Sequence, residues 1–103
     1  MNITIRENGS SLVVVLEGDL DNAASSQAER DISPVMKRDD CDVVFDCTQL
    51  NYISSSGLRI LLNVYKHTRA NGRKAILRDL RKDVMEVFML SGFLQLFKQE
   101  YSK

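Results

Sequence analysis

Ser54, Ser55, Ser56 and Gly57 lie where an apolar strand pattern gives way to an apolar helix pattern, within Tyr52-Ile53-Ser54-Ser55-Ser56-Gly57-Leu58-Arg59-Ile60-Leu61-Leu62. Serine favours a helix N-cap because its oxygen accepts a hydrogen bond from an otherwise unpaired backbone N–H. The same helix end carries about half a positive charge and offers unpaired donors, so it suits an anion. Three chemistries are therefore open: a nucleophilic serine, a cradle for a bound phosphate, or a hydroxyl that itself receives a phosphate. In each of them the serines are expected to be exposed.

A nucleophile needs a base within hydrogen-bond reach. The only histidine, His67, lies twelve residues beyond Ser55 on the same expected helix, which places it about 18 Å away. The Gly-x-Ser-x-Gly elbow is also missing, because Ile53 occupies its first glycine position relative to Ser55. A cradle fares little better. Ser-Ser-Ser-Gly followed by Leu-Arg lacks the glycine spacing and Lys-Ser/Thr pair of a P-loop, and the Gly-x-Gly-x-x-Gly pattern is absent. A phosphate received by Ser55 would sit at a helix N-terminus with Arg59 at i+4, the favourable order for a helical ion pair. Gly57 costs a helix about 1 kcal/mol relative to Ala, which suggests that something approaches the backbone there. A plain serine cap needs none of this, and local physics alone does not displace it.

The elements around the serines follow from periodicity. Ile3 and Ile5 alternate with polar neighbours and Leu12 to Leu16 is a continuous apolar run, so two strands are expected with Asn8-Gly9 turning between them. Gly18-Asp19-Leu20-Asp21 ends the second strand, and Asp21 or Asn22 caps a helix carrying Ala24, Ala28, Ile32 and Val35 at helical spacing. Pro34 predicts an early end near Ser33. Asp42 to Asp46 reads as a buried strand, Thr48 to Tyr52 as a connector, and Gly57 to Gly72 as a helix with Leu58, Leu61, Leu62 and Tyr65 inward. Its second apolar face, Ile60 and Val64, is either covered or offered for docking. Lys74 to Leu77 is a further strand. Asp79 is expected to cap a helix with Val84, Val87, Phe88 and Ser91 inward, Met85 and Met89 form a core pair, and Leu94 to Phe97 forms an edge strand. Strands alternating with helices make this α/β with a mixed sheet.

Length and composition bound the rest. The 103 residues suffice for one domain with one core, and 44% hydrophobic against 27% charged residues is an ordinary globular balance. The N-terminus lacks a signal-peptide pattern and no apolar run approaches the roughly 20 residues of a membrane span, so a cytoplasmic protein without membrane insertion is expected. Cys41 and Cys47, at opposite ends of a strand, would be on the order of 20 Å apart and therefore reduced, and with one histidine they do not make a metal site. Net charge is zero, yet residues 1 to 58 hold 4 Lys/Arg against 10 Asp/Glu and residues 59 to 82 hold 8 against 1. That basic block (Arg59, Lys66, Arg69, Arg73, Lys74, Arg78, Arg81, Lys82) either faces the acidic half within the fold or meets an acidic partner. It has few interleaved aromatics, so direct nucleic-acid binding is not expected.

The order of elements, together with Gly18-Asp19-Leu20-Asp21, Val43-Val44-Phe45-Asp46-Cys47-Thr48 and Ile53-Ser54-Ser55-Ser56-Gly57-Leu58, resembles the STAS domain of bacterial anti-sigma factor antagonists over nearly the whole chain. The resemblance implies one domain over residues 1 to 103, with a four- or five-stranded mixed sheet and helices packed mainly on one side. It implies a partner switch in which the unmodified domain sequesters an anti-sigma factor and frees the sigma factor. The anti-sigma factor is typically also a serine kinase using ATP and Mg, a separate serine phosphatase removes the mark, and the antagonist is not an enzyme and has no cofactor of its own. The family's phosphorylated serine falls on Ser55, with Ser54 and Ser56 as alternatives. The partner surface implied here comprises Asp21, Ser54, Ser55, Ser56, Gly57, Arg59 and Ile60. One position departs from the family: Ser54 stands where an Asp commonly precedes the acceptor serine, so phosphorylation is expected to be weakened, moved to Ser54 or Ser56, or lost. The alternative reading is an unregulated STAS scaffold or regulatory subunit of an ABC-type transport complex.

Overall fold

Asn8-Gly9 reverses the chain between β1 (Asn2–Asn8) and β2 (Ser11–Leu20), and Gly9 supplies the positive φ of 64° for that turn. The strands pair antiparallel with Ile3 opposite Leu16 and Ile5 opposite Val14, which puts the apolar positions of both on one face. The computed structural model describes residues 1 to 102. After β2 come α1 (Asn22–Ile32), a 3-10 turn (Ser33–Lys37), β3 (Asp42–Ile53), α2 (Ser55–Ala70), β4 (Ala75–Arg78), α3 (Lys82–Leu90), a second 3-10 turn (Leu94–Leu96) and β5 (Lys98–Glu100). Pro34 stops α1 as expected. Ser33 is the C-cap, and the proline opens the 3-10 turn, where its missing N–H is harmless.

The five strands form one mixed sheet in sequential order, β1 antiparallel to β2 and the others parallel. Each crossover from β2 to β5 steps in the same direction, and right-handed crossovers then place α1, α2 and α3 on the same face. The main core lies between them. Leu16, Phe45 and Leu77 from the sheet are fully buried with Leu61, Val64 and Phe88 from the helices. On the opposite face Val13, Val44 and Ile76 align in register and form a small separate apolar row.

Several expectations from the sequence need correction. Both β2 and β3 run further than their apolar cores suggested, so Thr48 to Tyr52 is strand and not connector. Register shifts between Val15 and Glu17 and between Gly18 and Asp19 explain why. Along β3 the buried residues Cys47, Leu50 and Ile53 are separated by exposed pairs, which replaces the two-residue period with three. Asp79 does not cap α3, whose N-cap is Arg81 without a side-chain bond. It sits instead at φ 55°, where its carboxylate accepts from the Ser102 backbone N–H at 2.8 Å and from the Ser102 hydroxyl. Leu94 to Leu96 is a 3-10 turn, and the edge strand starts only at Lys98. Within α3, Val84 and Phe88 are buried and Val87 is half-buried, but Ser91 is an exposed C-cap, and of the methionine pair Met85 is half-buried against the core while Met89 is 58% exposed.

The basic block is only partly neutralised. Arg73 lies 3.2 Å from Asp42 of the acidic half, Arg78 pairs with Glu100 at 2.9 Å, and Arg81 donates to Asn51. Among the described residues, Arg59, Lys66, Arg69, Lys74 and Lys82 form no ion pair.

Candidate functional site

The C-terminal ends of β2 and β3 lie side by side, Leu20 opposite Ile53, and each feeds a helix. This juxtaposition brings two capped helix N-termini together. At α1, Asp21 accepts from the Ala24 N–H at 2.9 Å. At α2, Ser54 is the N-cap and its Oγ accepts from the Gly57 N–H at 3.1 Å. The backbone N–H of Ser54 donates to the Leu20 carbonyl at 2.9 Å, which ties the start of α2 to the end of β2.

The three serines are not equivalent. Ser56 Oγ donates to Asn22 Oδ1 at 2.6 Å, and Ser54 and Ser56 Oγ are 3.0 Å apart. A hydroxyl has one proton, so with that of Ser56 committed to Asn22 the bond between the serines must be donated by Ser54. The chain then reads Gly57 N–H to Ser54, Ser54 to Ser56, Ser56 to Asn22, linking the two helix ends. Ser54 is buried, Ser56 is half-buried and Ser55 is exposed. Of the three, only Ser55 has a hydroxyl with no hydrogen-bond partner among the described residues. The expectation of three exposed serines is therefore corrected for Ser54, because its cap role turns it into the helix end.

Gly57 is buried, and the approach its small size permits comes from inside the protein. A Cβ at this position would stand 2.7 Å from Leu20 Cγ and 2.9 Å from the Leu20 carbonyl oxygen. Ile60 is likewise buried at 7% exposure and Val64 at 1%. That face of α2 is the covered one: α1 packs against α2, and only a narrow hollow between Ile32, Met36 and Ile60 remains. Ile60 is thus displaced from the exposed surface expected of it. Arg59 is exposed on the second turn of α2, one turn beyond Ser55. Asp19 and Tyr52 are register partners on the adjoining strand ends, both exposed, with Tyr52 half-exposed.

The histidine and the two cysteines add no base or nucleophile to the serines. His67 Nε2 is engaged with the Arg38 carbonyl oxygen. Burial pushes the Cys47 thiol up to about 12, with Asp46 and Asp79 adding to the shift, so it stays protonated at neutral pH. Cys41 is also raised, chiefly by desolvation. Both are free thiols. No group of three metal-ligating side chains occurs among the described residues, and none of their helices is long and apolar enough to cross a membrane. What the site can do is present a hydroxyl at a positive helix end, flanked by a free arginine and by acids. Asn22 was missed as a partner of the serines. It lies 34 residues from Ser56, so no local sequence signal could have joined them.

A one-sided α/β sheet with its exposed serine on the helix after the third strand defines a class, and comparison with known proteins specifies it. The STAS domain family matches residues 2–102, so the chain belongs to that family. It is 35% identical over 97 residues to BtrV of Bordetella bronchiseptica, which carries the name anti-sigma factor antagonist, covering 94% of this chain and 84% of the relative. The fold matches the anti-sigma factor antagonist SpoIIAA in its unphosphorylated form with TM-score 0.79 at 22% identity, covering 95% of this chain and 87% of that one. The phosphorylated form of the Bacillus protein matches with TM-score 0.72 at 21% identity, covering 95% and 90%. The chain is thus a member of the anti-sigma factor antagonist branch of STAS proteins, with a five-stranded mixed sheet and three helices.

Proposed function

We propose that this protein is a partner switch: unmodified, it sequesters an anti-sigma factor, and phosphorylation of Ser55 releases it. The observation that carries this reading is the asymmetry of the serines. Ser54 and Ser56 have spent their protons on the bridge between helix ends, whereas the Ser55 hydroxyl is exposed and free. A phosphate there adds about 1.5 to 2 negative charges at a positive helix end, with Arg59 one turn away to pair with it. The fold therefore tolerates the mark. A partner seated over Asp19, Asp21, Tyr52 and Ser55 would instead have to desolvate a dianion beside two carboxylates, and its affinity falls. The anti-sigma factor acts as the kinase, using ATP and Mg, a serine phosphatase reverses the mark, and the exchange takes place in the cytoplasm. The antagonist contributes binding and no catalysis.

Ser54 fits this reading without the acid that the family commonly carries. It is an N-cap, and Ser and Asp serve that position about equally well. The exchange keeps the helix cap and removes one charge beside the acceptor, so it bears on kinase recognition.

Incubation with the cognate anti-sigma factor, ATP and Mg, followed by phosphopeptide mapping, tests the switch. Phosphate is expected on Ser55, and its absence from all three serines would refute regulation by this route. Ser55→Asp should fold as the parent and weaken the partner complex by about tenfold or more, since a close buried charge clash costs several kcal/mol. An unchanged affinity would move the docking surface elsewhere.

A further inference from the structure

We infer that the groove between the C-terminal half of α2 and the 3-10 turn Leu94–Leu96 is a second docking surface, one that takes an acidic amphipathic helix of a protein partner. It lies at the other end of the molecule from Ser55. Lys66 is eleven residues along α2 from that serine, about 16 Å at 1.5 Å per residue, and α3 returns antiparallel to the strands to reach the same end.

The floor of the groove is apolar and rigid. Leu62, Tyr65, Phe93 and Leu96 line an open trough of about 640 Å³. Tyr65 packs on Phe97 at 5.5 Å between ring centroids, and Phe97 meets Phe88 edge-on at 5.8 Å, so the floor is fixed to the core before anything binds. Along the trough Leu62, Tyr65 and Phe93 are half-buried and Leu96 is 37% exposed, so four apolar side chains reach its surface together; Leu90 and Met89, both exposed at the end of α3, lie outside its lining. Single exposed apolar residues need no explanation, whereas a cluster on a preformed trough points to an interaction site.

The rim decides the chemistry of the occupant. Lys66 and Arg69 border the trough, and a neighbouring hollow that shares Tyr65, Arg69 and Leu96 adds Lys74 and Lys98. Arg69 donates only to the Tyr65 hydroxyl. Among the described residues none of these four cations forms an ion pair, although Arg73 in the same hollow is paired with Asp42. An apolar stripe flanked by carboxylates complements this arrangement, which is the geometry of an amphipathic helix in a groove. The trough is open along its length and does not enclose a small ligand. A membrane is a poorer match, because the trough is concave between α2 and the 3-10 turn and a flat bilayer surface does not fill it, whereas a helix does.

Fluorescence anisotropy tests this with a labelled helical peptide of about fourteen residues, roughly four turns, with leucines at i, i+3, i+4 and i+7 and glutamates elsewhere. The control peptide carries lysine for each glutamate. Binding is expected for the acidic peptide alone, weakened by about tenfold or more in the Lys66→Glu/Arg69→Glu variant and in Leu96→Gln, and unaffected by Ser55→Asp. Lys66 and Arg69 are exposed, and Lys66→Gln/Arg69→Gln, with a smaller loss, separates charge from folding. Amide shift changes should map to residues 62 to 70 and 93 to 96. Equal binding of both peptides, no binding of either, indifference to the double variants, or shifts confined to residues 54 to 59 would overturn the proposal. Binding to phosphatidylglycerol vesicles that is lost in the same variants would overturn it in favour of a membrane.

Discussion

Replacing Gly57 by Ala separates two explanations of a glycine on the first turn of a helix, one in which an external partner approaches the backbone and one in which the protein's own β2 does. The added methyl would stand 2.7 Å from Leu20 Cγ, 2.9 Å from the Leu20 carbonyl oxygen and 3.0 Å from Ile53 Cγ1. Leu20 and Ile53 are both buried, so neither side chain can swing out, and the Leu20 carbonyl is held by the Ser54 N–H at 2.9 Å. Overpacking of this kind costs about 1 to 3 kcal/mol. Against it stands the helix preference of Ala over Gly, at most about 1 kcal/mol and less on a first turn. Because one of the clashes is with backbone, the upper half of the overpacking range applies, and the net loss is about 2 kcal/mol. For a domain of this size that corresponds to about 8 to 16 °C in Tm. Urea unfolding should show a lower midpoint at unchanged slope. Pairing the change with Leu20→Ala should give a combined loss smaller than the sum by at least about 0.5 kcal/mol, because the truncated leucine vacates the space. A Gly57→Ala protein as stable as the parent that nevertheless loses partner affinity would refute the internal explanation.

Two further outcomes follow from the same geometry. Ser54→Ala removes the acceptor for the Gly57 N–H and should cost about 1 kcal/mol, whereas Ser54→Asp keeps the cap, loses only the bond donated to Ser56, and should cost less than Ser54→Ala in urea. Asp79 is held below the usual carboxylate range, first by the Ser102 hydroxyl and then by the Ser102 N–H. A carboxylate depressed in the folded state stabilises above its unfolded pKa, about 3.9, and loses that contribution as pH falls through the lower folded value. Asp79→Asn, which tolerates the positive φ, should therefore narrow the stability difference between pH 7 and pH 3, and an undiminished acid loss would locate the effect in other carboxylates.

What the sequence disclosed were features whose causes are local. Asp21 and Ser54 are caps because their own side chains reach the N–H groups of Ala24 and Gly57, three residues on. Pro34 and Gly72 stop helices through their own backbones, Gly72 at φ 69°. The hairpin at Asn8-Gly9 follows from short-range periodicity, which also gives Leu58 and Leu61 of the inward face of α2, whereas Leu62 and Tyr65 are half-buried and the buried set extends instead to Ile60 and Val64. The misread features have distant causes. Thr48 to Tyr52 read as a connector because the shifted register against β2 breaks the alternation, and Asp79 read as a cap because its partner Ser102 comes 23 residues later. Met89 read as core since spacing alone cannot tell which face of α3 the sheet takes.

The serines combine both kinds of cause. Their placement at a helix start is local, and it was read correctly from Ile53, Gly57 and the helix period. Their inequivalence comes from Asn22, which becomes a neighbour only when β2 and β3 align Leu20 with Ile53. Spacing alone leaves the three serines open and the family resemblance favours Ser55; the proton count around Ser54, Ser56 and Asn22 adds that Ser55 is the one of the three with a free hydroxyl. The missing family acid is explained by the same alignment: at Ser54 the fold needs an oxygen that accepts from Gly57, and a hydroxyl supplies it as well as a carboxylate does. The hydroxyl also carries a proton, which a carboxylate at neutral pH does not, and that proton extends the bridge to Ser56 and on to Asn22. An Asp at this position would cap α2 but could not donate to Ser56, so this chain exchanges a charge beside Ser55 for a link between its two helix ends.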